Sequence, residues 1–230
     1  MIKKHKDFIR SCFCCACLIG LAPLLLTAET LSYNEVEGEI TVTHSIVITP
    51  APPGYQIELS SRRGNGGTVK QTFRTAADFS TLAWTFSDPG RQMELDAKIQ
   101  GEDIVLSGTF GNKKVEKEFN AAGAPWNQLF QMGLASYALA REESFQFRSI
   151  GTQGPGELKI GKFTVKRRDD EKINLGGKEI AAVHLRISLS GLLSIFWHGD
   201  YWYRKTDGRF LRYRGKNRSG GPIAVSELVE

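Results

Sequence analysis

The sequence predicts a mainly β protein: a long antiparallel meander forming a curved sheet or incompletely closed barrel, with one amphipathic helix over residues 125–140 packed on its concave face. Three observations predict it. Apolar residues recur with a period of two through most of the chain, the signature of strands with one buried and one wet face. Short reversals rich in Gly, Asp, Asn and Pro separate these runs. One stretch alone abandons alternation for helical spacing.

Before the first strand the chain carries a basic head, Lys3, Lys4, Lys6 and Arg10, and the apolar stretch CFCCACLIGLAPLLLTA, with no acidic residue in or after that stretch until Glu29. That order predicts a secretory signal peptide over residues 1–28, with Pro23 as helix breaker and cleavage after the small residue Ala28. Leu26 occupies a place where a second small residue is preferred, and an uncleaved stretch of this length is a marginal membrane anchor. Cys17 is a poor lipoprotein cysteine, because CCAC lacks an aliphatic residue three places upstream. The expected location is therefore the periplasm, reached by export.

All four cysteines, Cys12, Cys14, Cys15 and Cys17, fall in the leader, so the expected mature chain has no disulfide, zinc-thiolate site or cysteine nucleophile. Removing four basic residues and Asp7 leaves 26 basic against 24 acidic residues. A nearly balanced mature charge behind an export signal argues against a nucleic-acid partner. Residues 29–230 show no linker rich in Pro, Gly or Ser and no internal repeat, which predicts a single β-rich domain.

Each predicted element follows from its pattern. From Glu35 to Thr49 the apolar residues Val36, Ile40, Val42, Ile46 and Ile48 take even positions, and PAPPG ends that strand. Alternation recurs in Tyr55, Ile57 and Leu59; Val69 and Phe73; Leu82, Trp84 and Phe86; Met93, Leu95 and Ala97; and Ile104, Leu106 and Phe110. In PWNQLFQMGLASYALA, residues 125–140, Trp126, Leu129, Phe130, Leu134 and Tyr137 fall at helical spacing behind a proline at the favoured first position. Strands resume at Phe145 and Phe147, at 158–166 and at 181–189, with RRDDEKINLGG as a charged connection or long hairpin tip.

No motif carries a reaction. RGNGGTVK and NLGGKE lack the glycine and hydroxyl spacing of a phosphate-binding loop, GTQGPG precedes a strand instead of a helix, and no G-x-S-x-G occurs. His44, His184 and His198 are not at metal-ligand spacing, so neither metal nor cofactor is expected. His44 falls on the apolar face of its strand, where a core histidine that has found a partner is the expected reading. FWHGDYWYRKTDGRFLRYRG reads as three strands reversing at Gly199-Asp200 and Asp207-Gly208, its rings packed in or across the sheet, with at least one ring of YWY facing out.

The C-terminal third, GGKEIAAVHLRISLSG followed by that aromatic stretch, resembles uncharacterised exported bacterial proteins that end in a tryptophan strand, an Asp-Gly hairpin and a last strand. The wider architecture is similar to the LolA and LolB lipoprotein carriers, incompletely closed barrels whose helices cover an apolar cavity that takes lipid. The resemblance implies that residues 125–140 are a plug or lid, with Trp126, Phe130 and Tyr137 facing the cavity.

The leading expectation is thus an exported, non-enzymatic envelope protein holding a lipid or other apolar ligand between sheet and helix. The alternative is a carbohydrate or envelope-polymer module using exposed rings among Trp197, Tyr201, Trp202 and Tyr203, with Arg204 and Arg212 for acidic groups. A hydrolase comes third, with Asp200 and Asp207 as a carboxylate pair, both expected in turns.

Overall fold

A computed structural model describes residues 27–64, 66–121, 123–140, 142–152, 157–191, 197–217 and 220–229. The expected leader, with its four cysteines, lies outside the described residues apart from Thr27 and Ala28. Among the described residues no helix is long and apolar enough to cross a membrane.

The first eight strands run as a meander: β1 (Glu29–Glu37), β2 (Ile40–Ala51), β3 (Gly54–Arg63), β4 (Thr68–Thr75), β5 (Thr81–Asp88), β6 (Met93–Gln100), β7 (Asp103–Phe110) and β8 (Lys113–Asn120). Two short helices follow, α1 (Phe130–Gly133) and α2 (Ala135–Leu139). The second series is β9 (Ser144–Thr152), β10 (Leu158–Arg167), β11 (Glu171–Leu175), β12 (Lys178–Leu189), β13 (His198–Arg204), β14 (Phe210–Lys216) and β15 (Ile223–Leu228). All fifteen belong to one antiparallel sheet in the order β8-β7-β6-β5-β4-β3-β2-β1-β15-β14-β13-β12-β10-β9, with β11 beside the first half of β12. The sheet is open, its edges β8 and β9 being the strands that flank the helical segment.

Alternation places the core as expected. Ile57, Phe73, Ala97, Ile104, Phe147, Val165 and Leu185 are fully buried on the inner side of their strands. The first hairpin differs from expectation. Residues 35–49 are not one strand: they turn at Gly38, whose φ of +61° lies in the left-handed region that glycine tolerates. The turn reverses the parity, so the inner face of β1 is Leu31, Tyr33 and Glu35, opposite Ile46, His44 and Val42 of β2. Val36, expected inside, is turned out and 48% exposed, while Ile40 keeps the inner parity of β2 but is its first residue, opposite Glu37, and is 50% exposed. A strand's inner parity holds only as far as its next turn.

Two other expectations are corrected, and a third falls outside the described residues. Gly199 and Asp200 are not a reversal but part of β13, so the described part of the aromatic stretch is two strands, β13 and β14, joined by the Asp207-Gly208 turn. Residues 192–196, expected in a further strand, lie outside the described residues. The charged connection contains β11, which pairs with β12 from Glu171 opposite Ala182 to Leu175 opposite Lys178.

The helical segment packs on the sheet, but it is shorter than the pattern suggests. Residues 125–128 are extended: Trp126 bridges in parallel to Arg148 of β9, with Arg148 N–H donating to Pro125 O (2.8 Å) and Asn127 N–H to Arg148 O (2.9 Å). On the other side, Thr81 N–H at the start of β5 donates to Trp126 O (2.7 Å). Helical apolar spacing here loses to the unpaired backbone of an edge strand, which recruits the segment as a partner. Gly133 closes α1 where a Cβ would sit 2.9 Å from the Asn127 side chain, and Leu134, at φ −109° and ψ 3°, separates α1 from α2.

Gln128 fixes this seam. Its Oε1 accepts from Trp126 Nε1 (2.9 Å), Ile150 N (2.9 Å) and Ser149 Oγ (3.1 Å), while its Nε2 donates to Ile150 O (2.9 Å) and its backbone N–H to Thr81 Oγ1 (3.0 Å). Replacing Gln128 by Ala strips one acceptor from three donors, and buried donors left unmade cost about 1–3 kcal/mol each before relaxation and water entry. Gln128→Ala is therefore expected to lower the urea unfolding midpoint by the equivalent of about 2–3 kcal/mol.

A second tight place joins β13 to β14, where Gly199 lies opposite Gly215. A Cβ on Gly215 would meet the Tyr213 hydroxyl at 2.6 Å, and one on Gly199 would meet the Tyr213 ring at 2.8 Å. Gly215→Ala is expected to cost about 1–3 kcal/mol by overpacking, measured by thermal or urea unfolding. Gly151→Ala, where nothing lies within 4 Å of the new Cβ, is the matched control and should be close to neutral.

Candidate functional site

The inner faces of β1 to β4 present aligned rows across the sheet. One row runs Tyr33, His44, Ser61, Val69; the next runs Leu31, Ile46, Leu59, Gln71. Facing them from the other half of the sheet are Tyr201 of β13, Phe210 of β14 and Ser226 of β15, with Ile150 of β9 and the segment Gln128, Leu129, Phe130 alongside. Apart from Val69, which lines a neighbouring outer space, these residues line a partly open cavity of about 360 Å³. Its lining mixes hydrocarbon with uncharged polar groups, and among the described residues it includes no Lys, Arg, Asp or Glu.

The polar groups of this cavity are mostly engaged. Tyr33 donates its hydroxyl to Phe210 O (3.1 Å), and burial pushes its pKa well above the ordinary phenol value. Gln71 Oε1 accepts from Trp84 Nε1 (2.9 Å). Gln128 holds the seam described above.

His44 and Ser61 also line a second, outer cavity of about 830 Å³, so the two spaces meet at this pair. His44 Nδ1 and Ser61 Oγ are 2.8 Å apart, and His44 Nε2 lies 3.5 Å from the Glu35 carboxylate. The expectation that His44 finds a partner is thus met by Ser61. Burial would raise the Glu35 pKa, but the His44 interaction and a hydrogen bond from Asn217 Nδ2 (2.9 Å) outweigh it and hold the carboxyl below the usual range. The outer cavity is also lined by Glu37, Glu39 and Asp88, against Arg63 and Arg91.

Serine, histidine and carboxylate in series are the parts of a nucleophilic triad, but the connections are reversed. In a triad Nε2 meets the serine and Nδ1–H is bound firmly to the acid. Here Nδ1 meets Ser61, and Nε2 faces Glu35 beyond good hydrogen-bond distance. The arrangement presents hydrogen-bonding groups at the neck between two cavities.

Of the six residues expected to bind, Phe130 and Tyr201 line the inner cavity, and their rings lie 6.3 Å apart. Trp126 is fully buried beneath it. Tyr203, also fully buried, donates its hydroxyl to Phe130 O (2.9 Å) and so holds α1 from below. Tyr137 lines a separate pocket of about 190 Å³ and donates to Glu142 O (3.1 Å). Trp197 stands edge-on to Phe163 and donates to Lys216 O (2.7 Å), away from the cavity.

The exposed aromatic platform is not formed. Tyr201 and Tyr203 point inward and are buried. Trp202 points to the outer face yet is only 9% exposed, because His184 stacks on it at 4.7 Å and Glu171 of β11 accepts its Nε1–H (2.6 Å). Arg204 pairs with Asp207, and Arg212 pairs with Glu227 (2.6 Å) while its guanidinium sits 6.0 Å from the Trp202 ring. Asp200 and Asp207 do not converge. Asp200 is in β13 and accepts from Arg186 and His184, whereas Asp207 lies in the turn beyond β13.

Ser61 and Glu35 are the site residues that sequence reasoning did not single out, and His44 was singled out only as a core histidine with a partner. A signal for Ser61 was present, since it continues the odd inner parity of Tyr55, Ile57 and Leu59. Glu35 was hidden by the turn at Gly38.

No family model matches the chain, and no curated protein matches it. Among solved structures it is similar to the crystal structure of the hypothetical lipoprotein YmcC from Escherichia coli (K12), at 8% identity and a TM-score of 0.41, over 91% of this chain and 89% of that one. The relation is distant, and no residue role is transferred from it.

The outer-face cluster generates an acid-stability prediction. Burial would raise the Asp200 pKa, but hydrogen bonds from His184 and a two-point contact from Arg186 (2.8 and 3.1 Å) hold it far below the ordinary 3.8. A carboxyl depressed in the folded state stabilises fully above its unfolded pKa and loses that contribution as pH falls toward the folded one. Asp200→Asn is therefore expected to lower stability by about 1–3 kcal/mol at pH 7. The gap to the parent should shrink below about pH 4, as read from melting temperatures between pH 2 and 7.

Proposed function

We propose that this chain is an exported, non-enzymatic binding protein of the cell envelope that holds the apolar part of an amphiphile in the cavity between its sheet and the 125–140 segment. The observation that carries the reading is the inner cavity itself. Its volume of about 360 Å³ is in the range of small-molecule sites, and Leu59, Leu129, Phe130, Ile150 and Phe210 give it an apolar wall. Export rests on the leader pattern of residues 1–28. The 125–128 seam makes the segment a fixed plug, so a ligand enters past the His44 and Ser61 neck from the outer cavity.

The test uses the mature chain and the neutral fluorescent probe N-phenyl-1-naphthylamine. Probe emission is expected to rise on binding with a dissociation constant in the micromolar range, a free energy of about −8 kcal/mol. Leu59→Trp, which fills the cavity without adding charge, should weaken binding at least tenfold with little change in melting temperature. Absence of probe binding, or equal binding by the folded Leu59→Trp variant, removes the reading.

A further inference from the structure

We propose that the cavity selects amphiphiles whose acyl chain ends in a neutral ester, amide or hydroxyl head and rejects the free fatty-acid anion, with His44 and Ser61 at the neck receiving that head. The inference rests on the binding reading above and names its ligand class. Three independent features point the same way.

The inner cavity offers an anion no cation. None of its described lining residues is Lys or Arg, and a carboxylate buried without a partner carries a cost of several kcal/mol that a neutral carbonyl avoids. The polar lining is of the opposite kind, uncharged: the Gln131 amide can donate to a carbonyl, and the Ser61 and Ser149 oxygens, whose protons go to His44 and Gln128, can accept from a hydroxyl.

At the neck the field is negative. Glu35 keeps its charge to low pH, and Glu37, Glu39 and Asp88 line the space just outside. The cations there are Arg63 and Arg91, and Arg91 lies 3.6 Å from Asp88. A carboxylate seated at His44 would lie within one side chain of Glu35, where repulsion is little screened by bulk water.

His44 supplies the third feature. Its Nε2 is buried, and no partner stands closer than the Glu35 oxygen at 3.5 Å. With the proton on Nε2, the Ser61 hydroxyl donates to Nδ1. A ligand hydroxyl at the neck, once the His44 and Glu35 side chains part beyond their 3.5 Å separation to admit it, accepts from Nε2–H and donates to Glu35. A glycerol ester carries such hydroxyls one and two carbons from its carbonyl, whereas a fatty-acid anion has only acceptors to set against Glu35.

The experiment displaces N-phenyl-1-naphthylamine with 1-monolauroylglycerol or with laurate, which share one chain, at pH 8 and below the micellar concentration of each. Monolauroylglycerol is expected to compete at about tenfold lower concentration, equivalent to about 1.4 kcal/mol. Glu35→Gln removes the charge and keeps the shape. It should improve laurate and narrow the ratio to about threefold or less, with some loss of melting temperature because a carboxylate held below its usual pKa stabilises the fold. Glu35→Asp, which keeps the charge, should keep the parent ratio, whereas a merely structural role for Glu35 would narrow it in both variants. Laurate competing as well as the ester in the parent, or a ratio unmoved by Glu35→Gln, overturns the head-group inference while the cavity reading stands. Probe binding that neither amphiphile displaces overturns both.

Discussion

Everything else in this molecule depends on how an open sheet deals with its two free edges. An unpaired strand exposes a row of N–H and C=O groups, which must find partners in water or in protein. The β8 edge bears alternating charge, Lys113, Lys114, Glu116, Lys117 and Glu118, and Lys117 Nζ reaches across to Leu158 O of β10 (3.0 Å). The β9 edge is covered from within by residues 125–128, which hydrogen-bond β9 on one side and the start of β5 on the other. That choice sets the position of the following residues: Leu129 and Phe130 come to line the interior, and further along the segment Tyr203 holds Phe130 O and Arg167 holds Ala138 O and Ala140 O.

Pattern reading located the strands because alternation is a direct imprint of a half-buried sheet, as in Ile57, Phe73, Leu95 and Leu106. It failed where a property is set by pairing across the chain. Residues 125–128 carry a helical pattern, yet the competing partner, Arg148 of β9, lies some twenty residues away in sequence and leaves no local sign. Val36 looks like a core residue by parity, and only the turn at Gly38 puts it outside, whereas Ile40 keeps the inner parity of β2 and is exposed at the strand's end.

The candidate site divides the same way. Phe130 was legible as a large ring on an apolar segment, and Tyr201 as one member of a ring cluster that had to split between two faces. The neck was not legible. His44 reads as a solitary polar residue in an apolar row, and its chemistry comes from neighbours on two other strands, Glu35 and Ser61, whose alignment depends on register. Gly199 reads with Asp200 as a local turn signal, when its role with Gly215 opposite is to make room for Tyr213.

The order of strands places β1 beside β15, so the first and last elements of the described chain are hydrogen-bonded neighbours, with Tyr33 opposite Leu228 and Glu37 opposite Ala224. Both halves of the cavity wall meet along this line: Tyr33 and Ser226 are inner-face residues on either side of it. Contacts between such distant segments raise contact order and slow folding, since loop closure precedes the reward of pairing. A growing chain can zip β1 to β8 as local hairpins, but it cannot enclose the cavity until β15 has been made. The N-terminal half then waits with one flank of β1 unpaired, a state exposed to misassociation if synthesis stalls.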